Sequence, residues 1–204
     1  MTVAALIEQL QSSDRLKRVS AAEQLAEFEG RARDAIPILE LWIGSEDRYS
    51  HVTALGAMIW IDQSKADALI PLLIEALEFD GLEQWHAILQ LQSLGKMALP
   101  AVQALKRLLN QNSVVSTSAS EAIYELTGDP TDAIDVGLRL LEHSDWLQRW
   151  VGIEHLEGLG REAEAAIPQL EWVAIEDHDE GVRKRAREAV EKIEAHDRLP
   201  PCTE

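Results

Sequence analysis

The chain has 204 residues, 46% of them apolar, with 36 acidic against 19 basic side chains and a net charge of −17. This supplies a core, and a field of this sign repels phosphate backbones and anionic lipid, so the expected partners are neither nucleic acid nor membrane but something basic. One cysteine, Cys202, leaves no internal disulfide to form, and no stretch reaches the ~18 unbroken apolar residues of a membrane span.

At the N-terminus, Met1 to Leu10 has no basic flank and carries Glu8 among its apolar residues, so it reads as a first helix rather than a signal peptide, which places the chain in the cytoplasm. From there one helix template recurs six times at intervals of 32 to 34 residues, centred on a small residue: Ala21, Ala54, Ala87, Ala119, Gly152 and Ala186. Four residues on stand Leu25, Met58, Leu91, Ile123, Leu156 and Val190, and seven on stand Phe28, Ile61, Leu94, Leu126, Leu159 and Ile193. Seven before the centre is a helix-capping type each time: Asp14, Asp47, Asp80, Asn112, Asp145 and Asp179. Between these B helices, shorter A helices are expected to open at Pro37, Pro71, Pro100, Asp135 and Pro168. Self-similarity at this period means stacked helical hairpins, each unable to bury its apolar face alone. Counted from the small residue as zero, positions −4, 0, +4 and +7 fall within ~80° of one another and form the stripe that faces helix A. The last B helix, with Arg183, Lys184, Arg185, Arg187, Glu191 and Lys192, is too charged to receive a seventh unit. The expectation is therefore one all-α domain of six repeats over residues 1–195, followed by an unfolded tail, 196–204, that contains Pro200 and Pro201.

The run from Asp179 to Val190 (DEGVRKRAREAV) resembles the B helix of HEAT repeats, in particular the type named for phycobilisome bilin lyases. The resemblance covers residues 3–195 and implies an α-solenoid, armadillo-like in build and wound as a right-handed superhelix. Arg18, Arg149 and Arg183 stand at the arginine position that such repeats pair with loop aspartates. His51, Gln84 and Ser116 replace it in the middle units, so a continuous charge ladder is broken there. In such solenoids the side of helix B away from helix A lines the concave surface.

On that side fall positions −2, −1, +2 and +6. The middle units place Val52, Thr53, Gly56 and Trp60, then Trp85, His86, Leu89 and Ser93, there; the fourth and fifth place Glu121, Glu125, Trp150, Val151 and Glu154. The first unit contributes Val19, Ser20, Glu23 and Glu27. An apolar centre inside a charged rim is how a binding surface is built, and the candidate partner-binding residues are Val52, Trp60, Trp85, His86, Leu89, Glu121, Glu125, Trp150 and Glu154. The alternative is that neighbouring helices bury these rings as ordinary packing. Trp42, Trp172 and Trp146, on A helices or in a turn, are expected to pack.

Chemistry is harder to find. The six histidines lack metal-ligand spacing, there is no second cysteine, and the acidic turn Glu176 to Glu180 is explained as a cap and a solvated loop, so no metal, cofactor or catalytic residue is expected. The leading expectation is a non-enzymatic scaffold, monomeric, that grips a protein or peptide bearing a basic patch. An acidic inhibitor or immunity-type protein that masks a basic toxin is one version of it. The bilin-lyase resemblance implies a second reading, a protein that handles a tetrapyrrole chromophore. A DNA glycosylase built on such repeats is disfavoured, because units one to five carry no Lys or Arg at the four exposed positions.

Overall fold

Every regular element of this computed structural model, which describes residues 1–196, is a helix. Shorter and longer helices alternate along the chain: α1 (Val3–Gln9) packs with α2 (Arg15–Ala26), α3 (Ile36–Glu40) with α4 (Arg48–Ile61), and α5 (Ala66–Glu75) with α6 (Gly81–Ser93). Then come α7 (Val102–Lys106) and α8 (Ser113–Thr127), followed by α9 (Thr131–Leu141) packed with α10 (Trp146–Gly158) and α11 (Ile167–Glu176) with α12 (Glu180–His196). The chain forms two compact units, Met1–Leu105 and Lys106–Glu204. Beyond His196, which closes α12, the expected tail with Cys202 lies outside the described residues. No helix among the described residues is long and apolar enough to cross a membrane.

The repeated positions do what their chemistry predicts. All six central residues are buried, and the stripe at +4 and +7 joins them in the core, with Phe28, Leu159 and Val190 half-covered. Asp14, Asp47, Asn112, Asp145 and Asp179 each accept a hydrogen bond from an amide in the first turn of their B helix, at 2.9–3.3 Å for the shortest. Each satisfies a donor that the helix itself leaves unpaired, a contribution of about 1 kcal/mol. Asp80 is the exception: it precedes α6, but its carboxylate takes no helix amide, and the left-handed Gly81 (φ 62°) follows it.

Position −3 fastens the turn between the two helices of a hairpin. Arg18 donates to the Ser12 and Ser13 carbonyls, Gln84 to Leu77 O at 2.7 Å, and Arg149 to the His143 and Ser144 carbonyls. His51 accepts from the Gly44 amide at 2.9 Å, and Ser116 donates to Ser113 O. The charge ladder is broken in the middle units, where His51 and Gln84 keep the bond to the turn as neutral groups and Ser116 bonds only within α8. Where arginine is present it also reaches the next turn: Arg18 lies 3.5 Å from Asp47, and Arg149 holds Asp177 with two bonds of 2.6 and 2.8 Å. Burial alone would raise the Asp177 carboxyl, yet the Arg149 guanidinium and the Asp179 amide hold it below its ordinary value.

The A helices begin differently from expectation. Seven-residue 3-10 turns, Glu29–Ala35, Gly95–Ala101 and Gly160–Ala166, lead into α3, α7 and α11. Each points two alanines three residues apart into the core: Ala32 and Ala35, Ala98 and Ala101, Ala163 and Ala166. A 3-10 helix stacks i over i+3, which accounts for the spacing. Pro37 and Pro168 do open their α-helices, but Pro100 lies within a 3-10 turn and Pro71 inside α5. The fifth hairpin starts at Thr131, not at Asp135, with Asp129 accepting from the Thr131 amide and hydroxyl.

Helices α9 and α10 cross closely. A Cβ at Gly152 would lie 2.8 Å from Leu140 Cβ and 3.0 Å from Gly137 O, atoms fixed by the backbone. Gly152→Ala gains helix propensity of about 1 kcal/mol, but the clash cannot relax by a side-chain rotation and wins. We expect Gly152→Ala and Ala87→Leu each to lower stability by about 1–3 kcal/mol, read as a lower urea midpoint. An unchanged midpoint in both would show the helix crossings to be looser than described.

Candidate functional site

In the first unit the B helices α2, α4 and α6 pack side by side, which buries more of each than a helix exposed on one whole side would hide. Val52, expected on the open face, is completely buried. His86 is buried too, stacked on the Tyr49 ring with centroids 4.1 Å apart and an interplanar angle of 5°. Thr53 Oγ1 donates to Tyr49 O at 2.9 Å and accepts from His86 Nε2 at 3.0 Å, which fixes the neutral Nε2–H form of the ring. Both residues belong to the packing between B helices. Trp85 and Leu89 are half-buried.

Trp60 is also half-buried, and it lines a groove of about 350 Å3 that crosses all three B helices. Helix α2 supplies Glu23, Ala26 and Glu27, with Glu29 just beyond it; α4 supplies Thr53, Ala57 and Trp60, and α6 supplies Gln90 and Ser93. Small residues keep it open. At Gly56 a Cβ would lie 1.7 Å from Gln90 Oε1, so the Gln90 side chain rests across bare backbone. The surroundings partly desolvate Glu23 and push its carboxyl above the usual range. A second cleft, lined by Gly30, Arg33, Asp62 and Ser64, shares Trp60 and Glu29 with the first.

In the second unit the candidate residues are spread among packing and ion-pair roles. Trp150 packs against the core and approaches Gly181, where a Cβ would lie 3.7 Å from the ring. Glu121 is exposed but places Oε1 3.0 Å from Nδ1 of the buried His155, whose Nε2 meets Ala133 O at 3.0 Å. That imidazole thereby ties α8, α9 and α10 together. Glu125 is exposed, and Glu154 lies 3.8 Å from Arg185. Arg185 and Lys192 both pair with Glu157.

The open face extends to a further apolar position, four residues before −1. Position −5 lies about 40° from −1 on a helical wheel. It carries Leu16 and Leu82 in the first unit and Val114 and Leu147 in the second, all exposed, Leu16 by 74%. The signal was present in the sequence as the same register in four repeats. Trp146, the first residue of α10, and Trp172 are exposed rather than packed, whereas Trp42 is half-buried with the Arg18 guanidinium 6.0 Å from its ring. No cluster of three or more His, Cys, Asp or Glu suited to a metal occurs among the described residues.

No protein-family model and no curated protein sequence matches this chain. Among solved structures, an engineered protein is 20% identical over 96% of this chain and all of its own length, with a TM-score of 0.51. The phycocyanin lyase complex of CpcE and CpcF from Nostoc sp. PCC7120 is 20% identical, covers 98% of this chain and 90% of its own, and has a TM-score of 0.45. A designed armadillo repeat protein is 17% identical over 94% of this chain and 100% of its own, with a TM-score of 0.43. The chain is an all-α repeat solenoid. The likeness to the engineered protein reaches its fold and not its activity.

Burial lowers the His86 pKa from 6.5 to about 4, against a smaller opposing pull from Glu83. The unfolded chain therefore takes up this proton first as pH falls, so the stability tied to neutral His86 is complete above about 6.5 and drains away toward about 4. Between pH 7.5 and 5 the loss from this one group is about 2 kcal/mol. Urea melts at the two pH values should show a correspondingly smaller difference for His86→Gln than for the wild type. Equal differences would mean that the ring protonates without disturbing the packing of α4 on α6.

Proposed function

We propose that this chain is a non-enzymatic interaction module that holds a partner protein or peptide against the exposed faces of its B helices, and that the partner carries basic side chains. The observation that carries this reading is the groove of the first unit, where a tryptophan and small apolar residues are bounded by three carboxylates. Among the described residues no basic side chain pairs with Glu23, Glu27 or Glu29. An apolar floor supplies affinity through desolvation, and unpaired charge on the rim supplies orientation and a faster encounter with an oppositely charged partner. The net charge of −17 acts in the same direction at longer range. An acidic inhibitor that covers a basic active surface is one form such a module takes.

The test is a pull-down from source-cell lysate with the wild-type chain and with a Trp60→Ala, Trp85→Ala, Trp150→Ala variant shown by circular dichroism to remain folded. A protein held by the wild type and lost from the variant is expected, since removing one central tryptophan costs about 2 kcal/mol, a loss of roughly 30-fold. Raising salt from about 0.1 to about 1 M, which shortens the screening length from ~10 to ~3 Å, should release it. Equal recovery by both chains would overturn the reading.

A further inference from the structure

We propose that the groove between α2, α4 and α6 is a receptor for one arginine side chain of the partner, its guanidinium set between Trp60 and the carboxylates of Glu23 and Glu27. This rests on the interaction-module reading above and names what that site takes.

Three observations point to a guanidinium. The groove, about 350 Å3, is at the small end of ligand pockets, so it suits one long side chain and its flanking backbone better than a folded surface. Next, the first unit already uses arginine on aromatic rings repeatedly: Arg15 over Tyr49, Arg18 over Trp42, Arg31 over Phe28 and Arg48 over Phe79, at 4.8–6.0 Å from the ring centroids. Among the described residues no cation lies over Trp60, although it lines the same groove as three carboxylates.

The third is a comparison of equivalent positions in the two units. In the second, Glu154 at +2 and Glu157 at +5 of α10 are met by Arg185 and Lys192, at −1 and +6 of α12. In the first, Glu23 at +2 and Glu27 at +6 of α2 face the same two positions of α4, and these hold Thr53 and Trp60. The acid at +2 is repeated, the second acid stands at +5 in one and +6 in the other, and the cations are not repeated. Helix α12 neutralises Glu154 and Glu157 of α10, whereas Glu125, at +6 of α8, stays exposed; α4 instead sets an aromatic ring and an open groove beside Glu23 and Glu27, where a cation from outside can seat. Arginine fits better than lysine, because a planar guanidinium stacks on an indole while its edge donates to carboxylate oxygens, and it gives up less hydration on entering. The Gln90 amide on the opposite wall offers an oxygen to a remaining N–H.

The probe is a capped pentapeptide, Ala-Leu-Arg-Leu-Ala, and its twin with citrulline, which keeps the shape of arginine and removes the charge. Binding is read from the tryptophan indole N–H signals of the full chain by NMR, with Trp60→Phe identifying the Trp60 signal. The arginine peptide should move that signal saturably, and the citrulline twin should bind at least about tenfold more weakly, as a charge-assisted bond replaced by a neutral one predicts. Glu23→Gln with Glu27→Gln, both on exposed positions that leave the fold intact, should bring the arginine peptide down to the citrulline level. Equal binding of the two peptides at Trp60 would overturn the arginine assignment and leave the apolar docking surface standing. No movement of the Trp60 signal up to millimolar peptide would also overturn it, and the lysate experiment would then decide separately whether the module reading survives.

Discussion

The closeness of the paired helices within each compact unit is the constraint on which the rest depends. It requires a residue of no more than one carbon at the centre of every B helix, and at α9 and α10 it leaves no room even for that carbon. Because the helices approach so nearly, the flanking residues at +4 and +7 can fill the grooves on either side, and a single stripe of each B helix carries its hydrophobic burial. A bulky centre would part the hairpin along its length, since neighbours in such a stack share that stripe.

A stack built this way has many turns, and each turn exposes backbone groups that neither helix can satisfy. The chain answers with two positions per repeat, the cap at −7 and the fastener at −3. Their chemistry varies more than their task. Arginine and glutamine donate to turn carbonyls from −3 and His51 accepts from the Gly44 amide, whereas Ser116 only bonds back to Ser113 O in its own helix. Only the arginines reach on to an acid in the next turn, so the hairpins with Arg18 and Arg149 carry an extra link between neighbours that the middle ones lack.

The stripe and the caps were legible because they repeat with the helical period and are governed by contacts a few residues apart. What sequence alone misplaced depends on contacts between repeats. Val52 and His86 sit on the wheel beside exposed positions, yet the neighbouring B helix covers them, and nothing within α4 or α6 states how near that neighbour lies. Proline is a poor marker for the starts of the A helices, because the paired alanines of the 3-10 turns mark the entry, and these recur only before α3, α7 and α11. The groove was half legible. Glu23, Glu27, Gly56 and Trp60 all stood in the exposed series, but their meeting across three helices, with Gln90 laid over Gly56, is a product of lateral packing.

The acids of the groove bear on function because of what they cost. Glu23, on α2, and Glu27, at its C-cap, are four residues apart, so they repel each other by a few tenths of a kcal/mol, and partial desolvation adds to the penalty at the surface-exposed Glu23. Glu27 ends α2 through its backbone alone, and neither carboxylate accepts a capping bond or pairs with a described cation, so the fold gains nothing visible from the two charges. The second unit shows that this architecture can cancel such charge from the neighbouring B helix, as Arg185 and Lys192 do for Glu157. A face that is costly to the free chain, and that a change at one neighbouring helix position would relieve, is best explained by a positive group that arrives from elsewhere and turns the repulsion into attraction.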